Sequence, residues 1–343
     1  MRMKVVITDF LNDDLAPELA VLEPIADVQA LNAFSEEELV GRVEDADALM
    51  MYHELQLTRR TIARLQRCRL IIRCGVGYDN VDWAFAAQRG IPVANIPDYG
   101  TEEVADSAIG LMLALTRGFS RTNVHLRDRR GPWSADIPKP LHRLRDRTFG
   151  IVGLGRIGTA AALRAKVLGM DVRYYDPYKP SGYDKALGVT RVDRFDSLLE
   201  QAFVLSLHCP LTSETHHMVN DRAVRRMPAS SFLVNTARGA VVQAEAVVAA
   251  IESGQLAGAA VDVLEQEPAD DSNPLVAAWR DPRHPAHERV IVNPHIAFYC
   301  EEGLLEMRTK GARACRQALC DRPIPNVING VLPVPDNLPE SLA

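Results

Sequence analysis

A chain of 343 residues is too long for one ordinary domain and suits two. Apolar residues make up 47 % and charged residues 24 %, the balance of a globular protein with packed cores rather than a disordered or fibrous one. The formal net charge of −6 repels a phosphate backbone on average, which argues against a nucleic-acid partner.

The chain opens M-R-M-K-V-V-I-T-D-F, an apolar run too short for a secretory signal and well suited to a first strand at Val5–Thr8. Further short β-branched runs follow at Ala48–Tyr52, Leu70–Arg73 and Val93–Asn95, with helical patterns such as Glu36–Val43 and Val81–Gln88 between them. A long apolar helix is expected from Glu102 to Arg117, opened by Thr101 and two acids. The stretch from Arg121 to Arg147 is rich in arginine and broken by prolines, and reads as a solvated arm or a subunit contact, with a binding surface for a phosphorylated ligand as the alternative.

A second, denser α/β series starts at Thr148. Its expected strands are Gly150–Val152, Val172–Tyr175, Val204–His208, Phe232–Asn235, Gly258–Val261 and Val290–Val292, with helices such as Ile157–Leu168 and Ala244–Ser253 between them. Strands alternating with helices predict a doubly wound parallel sheet that binds ligand at the carboxyl ends of its strands. A last helix is expected at Glu301 to Leu319, then a proline-rich irregular tail. Six cysteines, Cys68, Cys74, Cys209, Cys300, Cys315 and Cys320, form no C-x-x-C pair and read as reduced thiols of a soluble, cytoplasmic protein. No apolar stretch is long enough to span a bilayer, and no metal site is expected.

Within the second series, G-L-G-R-I-G runs from Gly153 to Gly158, after a strand and into a helix. Gly153 and Gly155 permit a tight turn near a pyrophosphate, and Gly158 permits close packing of helix on strand. The helix N-terminus then offers free N–H groups to the phosphates. Asp176, at the end of the next strand, is placed to bind adenosine ribose hydroxyls and to disfavour a 2′-phosphate, so NAD is expected over NADP.

Three polar residues follow later strands: Arg238 in N-T-A-R-G, Glu267 in E-Q-E-P and His295 in N-P-H-I-A. Reduction of a 2-oxo acid needs a carboxylate clamp, a polarised carbonyl and a proton donor. Arginine's planar fork suits the first two tasks, and a histidine whose second ring nitrogen is held by a carboxylate suits the third. In the first series, R-C-G-V-G-Y-D-N offers a second clamp: Arg73 ends a strand, and the N–H groups of Val76 and Gly77 follow it.

These motifs resemble the D-isomer-specific 2-hydroxyacid dehydrogenase family over nearly the whole chain, and within it the C-terminal binding protein branch. The segments A-L-M-M-Y-H, A-L-R-A-K-V-L-G, Y-Y-D-P-Y, L-V-N-T-A-R-G and H-I-A-F-Y-C-E carry the likeness. The resemblance implies a Rossmann-type cofactor domain, 101–298, inserted into a flavodoxin-like substrate domain made of 1–100 and 299–343, with the active site in the cleft and a homodimer formed by the cofactor domains. It implies a catalytic trio of Arg238, Glu267 and His295, and a carboxylate-binding loop at Arg73, Val76 and Gly77. It further implies that Arg156, Ile157, Asp176, His208, Thr236, Ala237 and Asp262 line the NAD, and that Tyr52, His53 and Phe298 line the substrate pocket.

Two departures qualify it. The branch carries Trp where Phe298 stands, so its substrate preference need not transfer, and a long polar loop from Asp270 to Arg289 reads as longer than in that branch, either a surface insertion or an overhang of the cleft. The expected activity is hydride transfer between NAD(H) and a small or medium 2-oxo acid, giving a D-2-hydroxy acid. The alternative, resting on the branch alone, is an NADH-sensing corepressor or scaffold with little or no turnover.

Overall fold

The computed structural model describes residues 2–332, so the tail expected to be irregular lies, from residue 333, outside the described residues. The chain divides into two compact units. One is built from the residues up to Gly100 and those from Cys300 onward, the other from Thr101–Tyr299.

The first unit is a five-stranded sheet of β1 (Met3–Ile7), β2 (Ala26–Ala30), β3 (Ala48–Met51), β4 (Ile71–Arg73) and β5 (Val93–Asn95). Its order is β2-β1-β3-β4-β5 and every pairing is parallel. The central strands β3 and β4 are buried at every residue, as continuous apolar strands covered on both faces must be. The edge strand β2, A-D-V-Q-A, escapes sequence reading because its exposed positions are polar and it has a neighbour on one side only. The helix expected at Glu36–Val43 is a single 3₁₀ turn, Glu36–Leu39. The chain leaves the helix at Val40, which is extended, and Gly41 follows in the left-handed region at φ 80°.

The helix Glu301–Leu319 forms as expected and packs on the helix Ala16–Leu22 and on β3. Its buried face includes Met307, Gly311, Ala314, Cys315 and Ala318, at helical spacing, and one charge, Arg308. Arg308 is 5 % exposed and Glu18, from the helix Ala16–Leu22, is 0 % exposed. Their fork is bidentate, Nε to Oε1 at 2.8 Å and Nη2 to Oε2 at 2.7 Å, and Arg308 also pairs with the half-exposed Asp13.

The second unit is a seven-stranded sheet of β6 (Thr148–Val152), β7 (Asp171–Tyr175), β8 (Thr190–Arg191), β9 (Val204–Leu207), β10 (Ser231–Asn235), β11 (Leu256–Val261) and β12 (Val290–Val292). The order is β12-β11-β10-β9-β6-β7-β8, again parallel throughout. Strand order reverses at β6, so the crevice expected to take a dinucleotide opens at its carboxyl end. Two polar segments have more structure than their sequence indicates. Residues 270–289 are not a plain loop: they hold the helices Pro274–Arg280 and Ala286–Arg289, with Leu275, Val276, Ala278 and Ala286 buried against the main core. The arginine-rich stretch begins as a helix, Phe119–Arg127, and gathers on one acid, Glu288. Arg121, His125 and Arg130 approach that carboxylate at 3.4, 2.8 and 3.4 Å. Among the described residues, no helix is long and apolar enough to cross a membrane.

The buried Arg308–Glu18 pair makes a prediction for the first unit. Arg308→Met leaves Glu18 buried and unpaired and is expected to cost about 3–5 kcal/mol, whereas Arg308→Met with Glu18→Leu should recover most of it. Hydrogen exchange of the Glu301–Leu319 amides reads this directly. Equal destabilisation in the single and double variants would show that the pair has no such role.

Candidate active site

Arg238, Glu267 and His295 follow three strands that are neighbours in the sheet, β10, β11 and β12. Because the strands are parallel and about 4.8 Å apart, their carboxyl ends bring the three following segments to one edge.

His295 donates or accepts at Nδ1 to Glu267 Oε2 over 2.7 Å, and its ring meets Phe298 edge-on with centroids 6.1 Å apart. Its backbone is left-handed, at φ 55°, a conformation an L-residue keeps only when its surroundings impose it. Asp262, 1 % exposed at the end of β11, imposes it. The His295 N–H donates to the Asp262 carbonyl at 2.7 Å. The N–H groups of Ile296 and Ala297 donate to the two Asp262 carboxylate oxygens at 3.0 and 2.9 Å. Burial pushes the Asp262 carboxyl above its ordinary range, against these two N–H bonds that favour the anion. The resemblance implies Asp262 beside the cofactor; in the structure its side chain braces the histidine loop. Glu267 is itself steadied by the Leu264 N–H, which donates to its Oε1 at 2.7 Å.

Arg238 sits in a turn shaped by Asn235, whose side chain donates to the Arg238 carbonyl at 2.9 Å and accepts from the Ala237 N–H at 3.0 Å. The guanidinium also donates to the Ala237 carbonyl at 2.8 Å. A Cβ on the next residue, Gly239, would lie 1.9 Å from the Leu264 carbonyl carbon. Only glycine allows the Arg238 turn to lie against the segment that carries Glu267. Asn235 and Gly239 are missed by sequence reading, although an amide at a strand end and a glycine after the arginine are their visible signals.

The glycine turn lies at the end of β6, two strands along the sheet from β10. Gly155 caps the helix Arg156–Val167, so Arg156 and Ile157 are its first residues. A Cβ on Gly158 would sit 2.1 Å from the Gly153 carbonyl oxygen, so no other residue lets helix and turn approach this closely. Asp176 accepts the Leu154 N–H at 2.9 Å and the Tyr178 N–H at 3.0 Å, bracing the turn while its remaining lone pairs stay available to hydroxyl donors. Ala237 is buried at the end of β10. Beside it Thr236 Oγ1, and on the adjoining β9 end His208 Nδ1, are buried polar atoms with no hydrogen-bond partner among the described residues. His208 Nε2 lies 2.9 Å from Ser206 Oγ, and burial pushes the ring down to about 4, keeping it neutral. Two orphaned polar atoms beside a glycine turn and a helix N-terminus fit a dinucleotide that supplies their partners.

In the first unit, Arg73 is 5 % exposed at the end of β4 and donates to the Cys74 carbonyl at 3.0 Å. A Cβ on Gly75 would fall 1.5 Å from Arg73 Nη1, so the guanidinium occupies the space that this glycine vacates. The Val76 carbonyl accepts from Asn95 at 2.7 Å, which fixes the Val76–Gly77 turn. Tyr52 lies in the core at 0 % exposure, stacked on Phe10 at 5.1 Å, and the His53 ring lies 5.0 Å from the same Phe10 ring. Asp9, unnoticed in the sequence, organises this edge: it is buried and accepts from Thr8 Oγ1 and from the N–H groups of Tyr52 and Glu54.

Residues 109–297 match the family model for the D-isomer specific 2-hydroxyacid dehydrogenase, NAD binding domain. A D-3-phosphoglycerate dehydrogenase of Methanocaldococcus jannaschii is 34 % identical over 95 % of this chain, which spans 59 % of that protein's length. A glyoxylate reductase of Korarchaeum cryptofilum is 38 % identical over 78 % of each chain. The solved structure of an NADPH-dependent glyoxylate/hydroxypyruvate reductase from Sinorhizobium meliloti, in complex with NADP and malonate, superposes with a TM-score of 0.83. It is 27 % identical, and the match covers 98 % of this chain and 100 % of that one. A family model over more than half of the chain, a parallel Rossmann sheet and a glycine turn at its switch point lead to one conclusion: the chain belongs to the D-isomer specific 2-hydroxyacid dehydrogenase family.

Proposed function

We propose that the protein reduces a small or medium 2-oxo acid to the D-2-hydroxy acid with NADH, and runs the reverse oxidation with NAD. The observation that carries this reading is the 2.7 Å His295–Glu267 pair at the same sheet edge as Arg238 and the glycine turn. When bound, the nicotinamide supplies hydride to the carbonyl carbon. His295 delivers the proton to the developing alkoxide oxygen. Glu267 engages Nδ1, so Nδ1 keeps its hydrogen and Nε2 is the nitrogen that gives its proton up and takes it back. Arg238 holds the carbonyl and a carboxylate oxygen together through its fork. For the first unit, the Val76–Gly77 turn with Arg73 is proposed to bind the acid's carboxylate. Phe298, against the His295 ring, is proposed as pocket wall of the second unit. In the first unit Tyr52 and His53 are proposed to line the pocket, with His53, half-buried, the more accessible of the two. The corepressor alternative draws no support from relatives named as reductases and dehydrogenases.

His295→Asn is expected to lower kcat by roughly 10²–10⁴-fold with little change in NADH affinity. In the same assays, run over 2-oxo acids of increasing side-chain size, Arg238→Lys should lose roughly tenfold or more in kcat/KM because the bidentate geometry is gone. Near-normal turnover of the His295 variant would end the proposal. Failure of the unaltered protein on every acid, with NADH still bound, would favour the scaffold.

Preference for NADH over NADPH rests on Asp176. A 2′-phosphate beside its carboxylate costs on the order of 4 kcal/mol per unit pair at 4 Å and an effective dielectric near 20, before screening. The kcat/KM ratio is expected to favour NADH by roughly a hundredfold after screening and to narrow in Asp176→Ala. Equal efficiencies in the unaltered protein would refute this role.

We further propose a homodimer through the second unit, in a reducing, cytosolic setting to which the free thiols are suited. Trp133 at 90 % and Phe119 at 61 % exposure, both in or beside the arginine-rich stretch, are the apolar surface such a contact would cover. Sedimentation is expected to show a dimer that Trp133→Arg weakens. A monomer at micromolar concentration would contradict it.

A further inference from the structure

Two acids lie two residues apart in E-Q-E, and only Glu267 belongs to the acid–base pair. The other, Glu265, faces a separate pair of histidines. His216, His217 and Glu265 each place one ligand atom so that all lie within 4.8 Å of one another. His217 Nε2 is 3.0 Å from Glu265 Oε2, and His216 Nε2 is 3.9 Å from Glu265 Oε1. Tetrahedral ligands about 2.0–2.1 Å from zinc stand roughly 3.3–3.4 Å apart, between these two separations.

Adjacent residues in a regular backbone do not present their rings to one point. Here they do because His217 is left-handed, at φ 48°, and the two ring centroids are 4.1 Å apart. The backbone around it is held: the His217 N–H donates to the Ala240 carbonyl at 2.8 Å, and Asn220 Nδ2 donates to the His217 carbonyl at 3.0 Å. Glu265 is positioned by the same segment, since its N–H lies against Gly239. The three donors are thus set by the backbone, from two separate stretches of chain, rather than by the wandering of long side chains. Their side chains remain 52 %, 34 % and 48 % exposed, so water can reach an ion between them.

We propose that His216, His217 and Glu265 form a binding site for one divalent transition-metal ion of the zinc class, with water completing the coordination. Two imidazoles and one carboxylate select such an ion over calcium or magnesium, which prefer all-oxygen shells. The ion ties the His216–His217 turn to the segment that presents Glu267, so it occupies a place for restraining that segment and takes no part in the chemistry at His295. This departs from the expectation of no metal, which rested on the absence of paired cysteines.

The test is titration of the untagged full-length protein with Zn²⁺ by calorimetry, and with Co²⁺ by visible absorption. One ion per chain is expected, with a ligand-field band from cobalt. His216→Ala and Glu265→Gln should each weaken binding by roughly tenfold or more, and excess Ca²⁺ should not displace the ion. Glu265→Gln alters no backbone contact, so it stands in if a histidine variant folds poorly. Binding unchanged in both variants would assign the ion to thiols such as the exposed Cys320 and overturn the site. No saturable binding, or displacement by Ca²⁺, would overturn it equally.

Discussion

The buried carboxylate of Asp262 is the constraint on which the catalytic edge depends. A histidine that must offer one ring nitrogen to substrate and the other to a carboxylate needs a fixed backbone, and His295 has one that is intrinsically unfavourable. Three hydrogen bonds to a single residue of the neighbouring strand hold it there. Glu267 continues from that same strand, so both partners of the acid–base pair are referred to the end of β11. The 2.7 Å contact between them is a consequence of this shared anchor, which orients the imidazole. The cost is a carboxyl group buried where its charge is disfavoured, compensated by two backbone N–H donors.

Parallel pairing multiplies the effect. In an antiparallel sheet, successive strands would send their ends to alternate edges, and the glycine turn, Asp176, His208, Arg238, Glu267 and His295 would be divided between them. In the seven-stranded unit all follow carboxyl ends, and the helices between strands carry the chain back along the faces. The glycine-enforced contact between the Arg238 turn and Leu264 closes the remaining gap between neighbouring loops. The smaller unit repeats the principle with five strands, its edge organised by Asp9 as the larger one's is by Asp262. In both, an aspartate follows an apolar strand and spends its oxygens on the N–H groups of a loop from another strand.

Much of this is legible in the sequence, and the exceptions have physical reasons. Central strands announce themselves because burial on both faces favours runs of apolar residues, unbroken in A-L-M-M and interrupted only by the buried Ser206 in V-L-S-L. Edge strands β2 and β8 do not, since they keep exposed positions, filled in β2 by Asp27 and Gln29. The helices within residues 270–289 are hidden because each is one or two turns long and buries only a few side chains, too few for a periodic signal. At the site, Arg238, Glu267 and His295 stand out as polar residues at apolar strand ends. The resemblance implies Tyr52 and His53 at a pocket wall; Tyr52 lies in the core with the rest of its strand, and His53 after it is half-buried. The bracing roles of Asp262 and Asn235 depend on which backbone groups come within 3 Å, a property of tertiary packing that one-dimensional spacing does not encode.

The E-Q-E segment shows how far that limit reaches. Side chains two apart along an extended segment would lie on one side, yet Glu265 and Glu267 serve different histidines, His217 and His295. What separates them is the irregular backbone after β11, pinned at one end by the Leu264 N–H on Glu267 and at the other by Gly239 beneath Leu264 and Glu265. The same glycine therefore has two consequences. It brings the guanidinium turn to the acid–base pair, and it carries Glu265 outward to the paired imidazoles. Any side chain at position 239 would have to displace the Leu264–Glu265 backbone, and both carboxylates would move with it. The acid–base pair and the outer histidine cluster are thus geometrically coupled through one residue that bears no functional group.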